Sequence, residues 1–271
     1  MRNKSGSIRI LLLILVLALA AYPTTTASAN HAWGKYHWAR TSNPFTLKLG
    51  SNVSSGWSTY LSTASSDWSR STVLDTTIVA GSTSGSTCAP TSGRVEVCNA
   101  NYGATSWLGV AQIWTTRGAH IVQGTAKMND YYFNQAQYST APWHRLVMCQ
   151  EVAHTFGLDH QDENFNNPNL GTCMDYTNDP DGGGFYGPSN EHPNQHDYDQ
   201  LVKIYSHTDS FSTLNMALPN GAPAGFANAD MHAQENWGEK VEESADGRSA
   251  IYIRDFGNGY KVITHVFWVT E

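Results

Sequence analysis

The residues with the clearest chemical use lie in one stretch, which reads C-Q-E-V-A-H-T-F-G-L-D-H. Positions four apart on a helix point the same way, so Gln150 and His154 would share one face, with Glu151 one step round. Gly157 would end that helix, and His160 would approach the same point from beyond it. Two imidazoles with this spacing indicate a zinc site, and the nearby carboxylate would serve as a general base.

The stretch resembles the H-E-x-x-H-x-x-G-x-x-H signature of the metzincin metallopeptidases, with Gln150 in the place of the first histidine. Two later residues extend the resemblance. Met174, in T-C-M-D-Y, matches the Met-turn that lies under the metal in that family. Tyr176 matches a tyrosine that helps to stabilise the oxyanion in the astacin-like and serralysin-like branches. The resemblance covers about residues 44 to 206, and we assign no narrower subfamily.

The resemblance implies a secreted, zinc-dependent endopeptidase. It assigns His154, His160 and Gln150 to the metal, and Glu151 and Tyr176 to catalysis. The metal would acidify a bound water and polarise the scissile carbonyl, and the glutamate would pass the proton to the leaving amine. Structural roles at the site fall to four further residues: Gly157, Met174, Cys149 and Cys173.

Gln150 allows three interpretations of the site. Its amide oxygen is a poorer zinc donor than imidazole, but it reaches from the same helical position. A different histidine could replace it: His144 would face away on the helix, whereas His192 and His196 could reach the site only through the fold. The third reading is a secreted pseudopeptidase or binding protein that has lost zinc. We favour an active enzyme because the clear use of Glu151 is general base catalysis.

The order of predicted elements indicates an α+β fold with an α/β-like upper half. We expect a metzincin-like, twisted and mostly parallel sheet, an active-site helix from Pro142 to about Phe156, and a last helix over Asn194–Ser206. In the family, the substrate lies antiparallel to the edge strand before the active-site helix. Ala119–Met128 is the stretch that we predict for this strand.

Four segments are predicted along the chain. Residues 1–29 have a basic start, a short apolar run and an A-S-A cleavage site, which is the pattern of a signal peptide. Residues 30–208 form the peptidase domain, and 209–235 form a linker. Alternating residues from Trp237 onward predict two or three strands, so 236–271 is expected to be a small β appendage.

Composition limits the partners. The formal net charge is −7, and the predicted leader contributes only basic charges, so the remainder is more acidic still. Acidic chains do not favour nucleic acid or anionic membranes, so we expect neither as a partner. The expected partner is a protein or peptide substrate, and the expected state is a secreted, extracellular monomer. Binding of carbohydrate or cell wall through the aromatic N-terminus and the β tail is a further alternative.

Four cysteines in an exported chain predict two disulfide bonds. We favour Cys88–Cys98, which closes a short loop, and Cys149–Cys173, which would join the active-site helix to the Met-turn.

Calcium is a weaker prediction than zinc. The loop after the motif carries Asp159, Asp162 and Glu163, but these carboxylates lack the spacing of an EF-hand. A solvated loop is the favoured interpretation.

Overall fold

The computed structural model describes residues 31–183, 185–214, 216–218 and 220–269. The predicted signal peptide therefore lies outside the described residues. The strands in chain order are β1 His37–Trp38, β2 Phe45–Asn52, β3 Leu74–Ala80, β4 Val95–Ala100, β5 Trp107–Thr116, β6 His120–Asn129, β7 Glu239–Glu243, β8 Ser249–Gly257 and β9 Tyr260–Trp268. The helices are α1 Ser55–Trp68, α2 Asp130–Phe133, α3 Ala141–His154 and α4 Gln195–Ile204.

All of these strands belong to one sheet, in the order β3-β2-β4-β6-β5-β9-β8-β7, and the short β1 pairs with β6. The strands from β3 to β6 run parallel. The strands from β6 through β5 to β7 run antiparallel. The fold is α+β, as predicted, and the sheet is mixed: its parallel pairings all lie among strands that precede α3 in the chain.

Helices α1 and α3 pack against each other beside the sheet. Both tryptophans of α1, Trp57 and Trp68, are buried, and Tyr60 is partly buried against the same core, as expected for a core face. The indole of Trp68 donates a hydrogen bond of 3.2 Å to the carbonyl oxygen of Cys149 in α3. This contact fixes the start of the motif relative to the core. No helix within the described ranges combines the length and apolar character needed to cross a bilayer.

The prediction that Ala119–Met128 is an edge strand is wrong. The corresponding strand, β6, lies inside the sheet between β4 and β5. Arg117 and Gly118, both with positive φ, make the tight turn that folds β5 back onto β6. The free side of β5 is taken by β9, which runs antiparallel to it from Trp107↔Trp268 to Thr115↔Lys261.

The C-terminal strands, predicted as an appendage behind a linker, continue the main sheet through this β5–β9 pairing. The segment before them also lies against the sheet. Trp114 donates a hydrogen bond from its indole to the carbonyl oxygen of Phe226, and Gln112 donates one to that of Met231. Phe226 and Met231 are buried in a second apolar cluster with residues of β5, β8 and β9. Burial of this apolar surface explains why the tail joins the domain.

Candidate metal centre

Helix α3 carries the first part of the motif. Thr140 is its N-cap, and Pro142 lies in its first turn, where proline is tolerated because no amide hydrogen is needed. The helix ends at His154, and the chain reverses at Gly157, whose φ is +91°. A Cβ atom at this position would lie 2.1 Å from the carbonyl oxygen of Tyr36, so both the backbone angle and the space require glycine. The turn carries the chain toward His160.

Three histidines meet at the end of this helix: His154, His160 and His265. Their candidate ligand atoms all lie within 4.8 Å of one another. The ring centroids are 4.0 to 4.7 Å apart. All three side chains are buried. His265 comes from β9, about a hundred residues beyond the motif, so the C-terminal strands complete the cluster.

Each imidazole is held by a contact through one ring nitrogen. Nδ1 of His154 donates to the carbonyl oxygen of Leu158 (2.9 Å), and Nδ1 of His160 donates to Oε1 of Glu163 (3.4 Å). Nε2 of His265 lies 3.3 Å from the hydroxyl of Tyr176. Contacts of this kind orient metal-ligating histidines and fix which nitrogen carries the proton.

The remaining nitrogens fit a metal ion. Nε2 of His154, Nε2 of His160 and Nδ1 of His265 are buried, and none finds a hydrogen-bond partner among the described residues. Burial, together with the neighbouring imidazoles, lowers the pKa of His154 and of His265 well below the usual value. These two imidazoles are therefore neutral at pH 7, which is the form that binds metal. Buried polar atoms without partners are unfavourable, and a zinc ion would satisfy all three.

Gln150 has a different set of contacts. Its Nε2 donates a hydrogen bond of 2.9 Å to the carbonyl oxygen of Cys173. Its Oε1 is buried, with no hydrogen-bond partner in the described structure. Ligation by Gln150 therefore stays a prediction, and it now competes with ligation by His265.

The other histidines considered from the sequence lie elsewhere. His144 donates a hydrogen bond to the carbonyl oxygen of Thr140 at the start of α3. Nδ1 of His192 is hydrogen-bonded to the carboxylate of Asp67, and the ring of His196 stacks on that of His31. Sequence reasoning missed His265 because the tail was treated separately. The available signal was a histidine in the apolar strand V-I-T-H-V-F.

Glu151 lies on α3 next to β5. Its side chain is fully buried, and neither carboxylate oxygen has a hydrogen-bond partner within the described residues. Burial raises the pKa of Glu151 well above the usual value. The carboxylate also lies close to the β5 backbone: a Cβ at Gly109 would lie 2.3 Å from Oε1 of Glu151. An unpaired buried carboxyl group of this kind marks a candidate functional residue.

The Gly109→Ala variant is expected to displace Glu151, because the added methyl group would overlap Oε1, Cδ and Cγ of the glutamate. If the centre cleaves peptide bonds, we expect the kcat for casein cleavage to fall about 100-fold, the size of effect that a displacement of about 1 Å can cause. Zinc should be retained. Gly56→Ala, in α1, is the control, since a Cβ there would have 3.9 Å to its nearest neighbour. Equal kcat in the two variants would mean that the position of Glu151 does not matter.

Met174 and Tyr176, which the resemblance assigns to the site, both contact the segment that carries His160. The amide of Gln161, which follows His160, donates to the carbonyl oxygen of Met174 at 2.6 Å. The ring of Tyr176 lies 4.2 Å from that of His160, and burial raises the pKa of its hydroxyl well above the usual value.

Both predicted disulfide bonds, Cys88–Cys98 and Cys149–Cys173, are confirmed. The second bond joins α3 to the segment that contains Met174. Of the three carboxylates considered for calcium, Asp159 accepts a hydrogen bond from the amide of His160, and Glu163 contacts its ring. Two of the three are thus engaged by the candidate metal centre, and calcium stays a prediction.

A pH effect on stability follows from His31, which donates through Nδ1 to the carbonyl oxygen of Asp159. Burial lowers the pKa of His31 to about 4, from 6.5 when it is solvated. The unfolded chain therefore binds this proton first as the pH falls. The part of the free energy of unfolding that the neutral, buried His31 contributes is complete above pH 6.5, and it declines as the pH falls to about 4. We expect a loss of about 2 kcal/mol at pH 5 from this residue. Urea unfolding at pH 7.5 and pH 5 measures it, and an unchanged pH dependence in His31→Gln would contradict it.

No family model matches the chain, and no curated protein matches its sequence. Solved structures that are similar to it include the following two. Myroilysin shows 12% identity and a TM-score of 0.37, over 66% of this chain and 100% of its own. High choriolytic enzyme 1, a hatching enzyme zinc-protease of the medaka fish Oryzias latipes, shows 14% identity and a TM-score of 0.36, over 66% of this chain and 98% of its own. At this level the likeness carries no argument about activity.

Proposed function

We propose that this chain is a secreted, zinc-dependent endopeptidase. The observation that supports the proposal best is the combination of three buried imidazoles with free nitrogens and the buried, unpartnered carboxyl group of Glu151. A zinc ion would be held by His154, His160 and His265. When bound, zinc would polarise the carbonyl of the peptide bond and lower the pKa of the water that attacks it.

Glu151 acts as the proton carrier in this proposal. Its carboxylate oxygens have no other hydrogen bond, so one of them is free to take a proton from the attacking water and pass it to the leaving amine. A raised pKa suits a group that must hold the proton between the two transfers, and bound zinc would lower this pKa by its charge.

Tyr176 would donate a hydrogen bond to the carbonyl oxygen as negative charge develops on it. Burial keeps its hydroxyl protonated, and that hydroxyl now contacts the imidazole of His265. Its ring is fixed between Phe165, at 4.4 Å, and Phe267, at 4.8 Å.

Access to the centre requires movement, since Glu151, His154 and Tyr176 are fully buried. If His265 is a ligand, β9 cannot leave without taking that ligand away. We therefore place the opening in the loop after His160, where Phe165 stacks on Tyr176. Lids of this kind exclude water and commit the substrate. The proposed substrate is a protein or peptide, and the proposed state is monomeric.

The same burial favours one alternative, a secreted binding protein in which zinc is structural. Closed sites are typical of structural zinc, whereas catalytic sites keep one position for water. In this alternative Glu151 would have no proton to transfer, and the centre would only hold β9 against α3.

Metal analysis of the purified protein, together with cleavage of casein, tests the proposal. We expect stoichiometric zinc and proteolysis that a chelator abolishes and added zinc restores. Stoichiometric zinc without cleavage would support the structural alternative. A stable fold that binds no zinc at His154, His160 and His265 would contradict both.

A further inference from the structure

A second group of candidate metal ligands lies where two segments of the chain meet. His37 comes from β1, and His207 and Asp209 follow α4. Their candidate ligand atoms all lie within 4.8 Å of one another. The Nε2 atoms of His37 and His207 are 3.2 Å apart. Oδ2 of Asp209 lies 3.6 Å from Nε2 of His37, and Oδ1 of Asp209 lies 4.0 Å from Nε2 of His207. The group shares no residue with the centre formed by His154, His160 and His265.

The spacing suits one small cation. In a tetrahedral zinc site with bonds of about 2.0–2.1 Å, neighbouring ligand atoms are about 3.3 Å apart. The His37–His207 separation already has about this value, whereas Oδ2 of Asp209 lies 3.6 Å from Nε2 of His37 and Oδ1 lies 4.0 Å from Nε2 of His207, so a bound ion would draw the carboxylate closer to the two imidazoles. Imidazole and carboxylate together suit zinc and related divalent transition metals.

The surrounding contacts hold His37 in the required form. Its Nδ1 lies 2.9 Å from the carbonyl oxygen of Lys35 and donates to it, which leaves a lone pair on Nε2. In β1, His37 is also paired in register with His120 of β6. The ligating nitrogen is thus fixed by both a side-chain contact and the sheet.

Asp209 is fixed from several sides. Its amide donates to the carbonyl oxygen of Arg40 at 2.8 Å. Its Oδ2 accepts hydrogen bonds from the backbone amide and from Nη1 of Arg40, at 3.2 and 3.1 Å. Its Oδ1 lies 3.3 Å from Nε2 of His120. Contacts of this type orient a ligating carboxylate, and Oδ1, which has one such contact, retains a further acceptor position.

The group is open to solvent on one side. A cavity of about 630 Å³ borders it, lined in part by Lys35, Lys203 and both histidines. The side chain of His207 is about half exposed, whereas His37 and Asp209 are mostly buried. A metal ion could therefore reach the site without unfolding, and the position left by three protein ligands would face the cavity.

We propose that His37, His207 and Asp209 form a second metal site that takes one divalent transition metal ion, with Zn²⁺ as the probe. The bound ion replaces the hydrogen bond between the two imidazoles and joins β1 to the segment after α4. The proposal does not depend on peptidase activity, because it rests on separate residues.

Zinc stoichiometry of the full chain, with dissociation constants from competition with a chromophoric chelator, tests the proposal. We expect His207→Ala to lose one zinc ion per chain, or to weaken that ion by at least about 100-fold, which exceeds the usual effect of losing an outer contact. Because the side chain of His207 is about half exposed, we expect its removal to leave the fold intact. The matched control is His192→Ala, since His192 is also about half exposed and also contacts a carboxylate, that of Asp67.

The outcomes separate the two metal sites. If His207→Ala and His192→Ala bind as much zinc as the parent, with equal affinity, the second site is overturned. Loss of one ion in His207→Ala supports the second site even if the parent protein has no proteolytic activity. A protein that cleaves casein but loses no zinc in His207→Ala would overturn the second site and leave the proposed function standing.

Discussion

Replacement of His265 by alanine is expected to remove the zinc of the first centre and to abolish peptidase activity. The variant deletes one of three buried imidazoles whose candidate ligand atoms lie within 4.8 Å of one another, and no other histidine of the described chain lies in that group. We expect zinc affinity at this site to fall by at least about 100-fold, more than removal of an outer contact would cause. Equilibrium dialysis followed by metal analysis measures the change.

Two further variants distinguish a ligand from a structural residue. His265→Cys retains a side chain that ligates zinc and should recover part of the affinity, whereas alanine should not. Gln150→Ala should weaken zinc much less than His265→Ala, because the amide nitrogen of Gln150 is bonded to the carbonyl oxygen of Cys173. Zinc lost from Gln150→Ala and kept by His265→Ala would show that the ligand predicted from the sequence is the correct one.

Replacement of Glu151 by glutamine is expected to lower kcat by about 10² to 10⁴, the range for loss of a positioned general base. Glutamine has nearly the same shape and cannot accept the proton from water. Zinc should stay bound, because Glu151 does not belong to the histidine group. Casein cleavage and zinc content should be measured on the same preparation.

Glu191→Gln is the matched control for this variant, because Glu191 pairs with Arg145 near the surface. It should keep both zinc and kcat. A Glu151→Gln variant with the kcat of the parent would show that this carboxylate is not the base. Loss of zinc from it would instead indicate that Glu151 supports the ligands.

The parts of the fold that follow local patterns were predictable. The α3 helix, its proline in the first turn and the reversal at Gly157 depend on helix chemistry within about fifteen residues. The two disulfide pairings could be favoured from spacing, and the structure confirms both. The motif brought His154 and His160 together because helix geometry and one turn determine their separation.

The remaining part of the site depends on contacts that are distant along the chain. His265 reaches the cluster only because β9 pairs with β5, more than a hundred residues earlier. Alternation in the tail predicts strands but does not say which edge they join. Strand β6 lies inside the sheet because β5 folds back and pairs with it, which is why the predicted edge strand was wrong. His37 and Asp209 are likewise brought together by the fold alone.

The most direct test of the proposed centre is an anomalous difference map at the zinc absorption edge from crystals of the zinc-loaded protein. We predict a peak within about 2.0–2.1 Å of one imidazole nitrogen from each of His154, His160 and His265. A peak bound by His154, His160 and Oε1 of Gln150, with His265 turned away, would contradict this account. So would a fully zinc-loaded crystal with no peak among the three histidines.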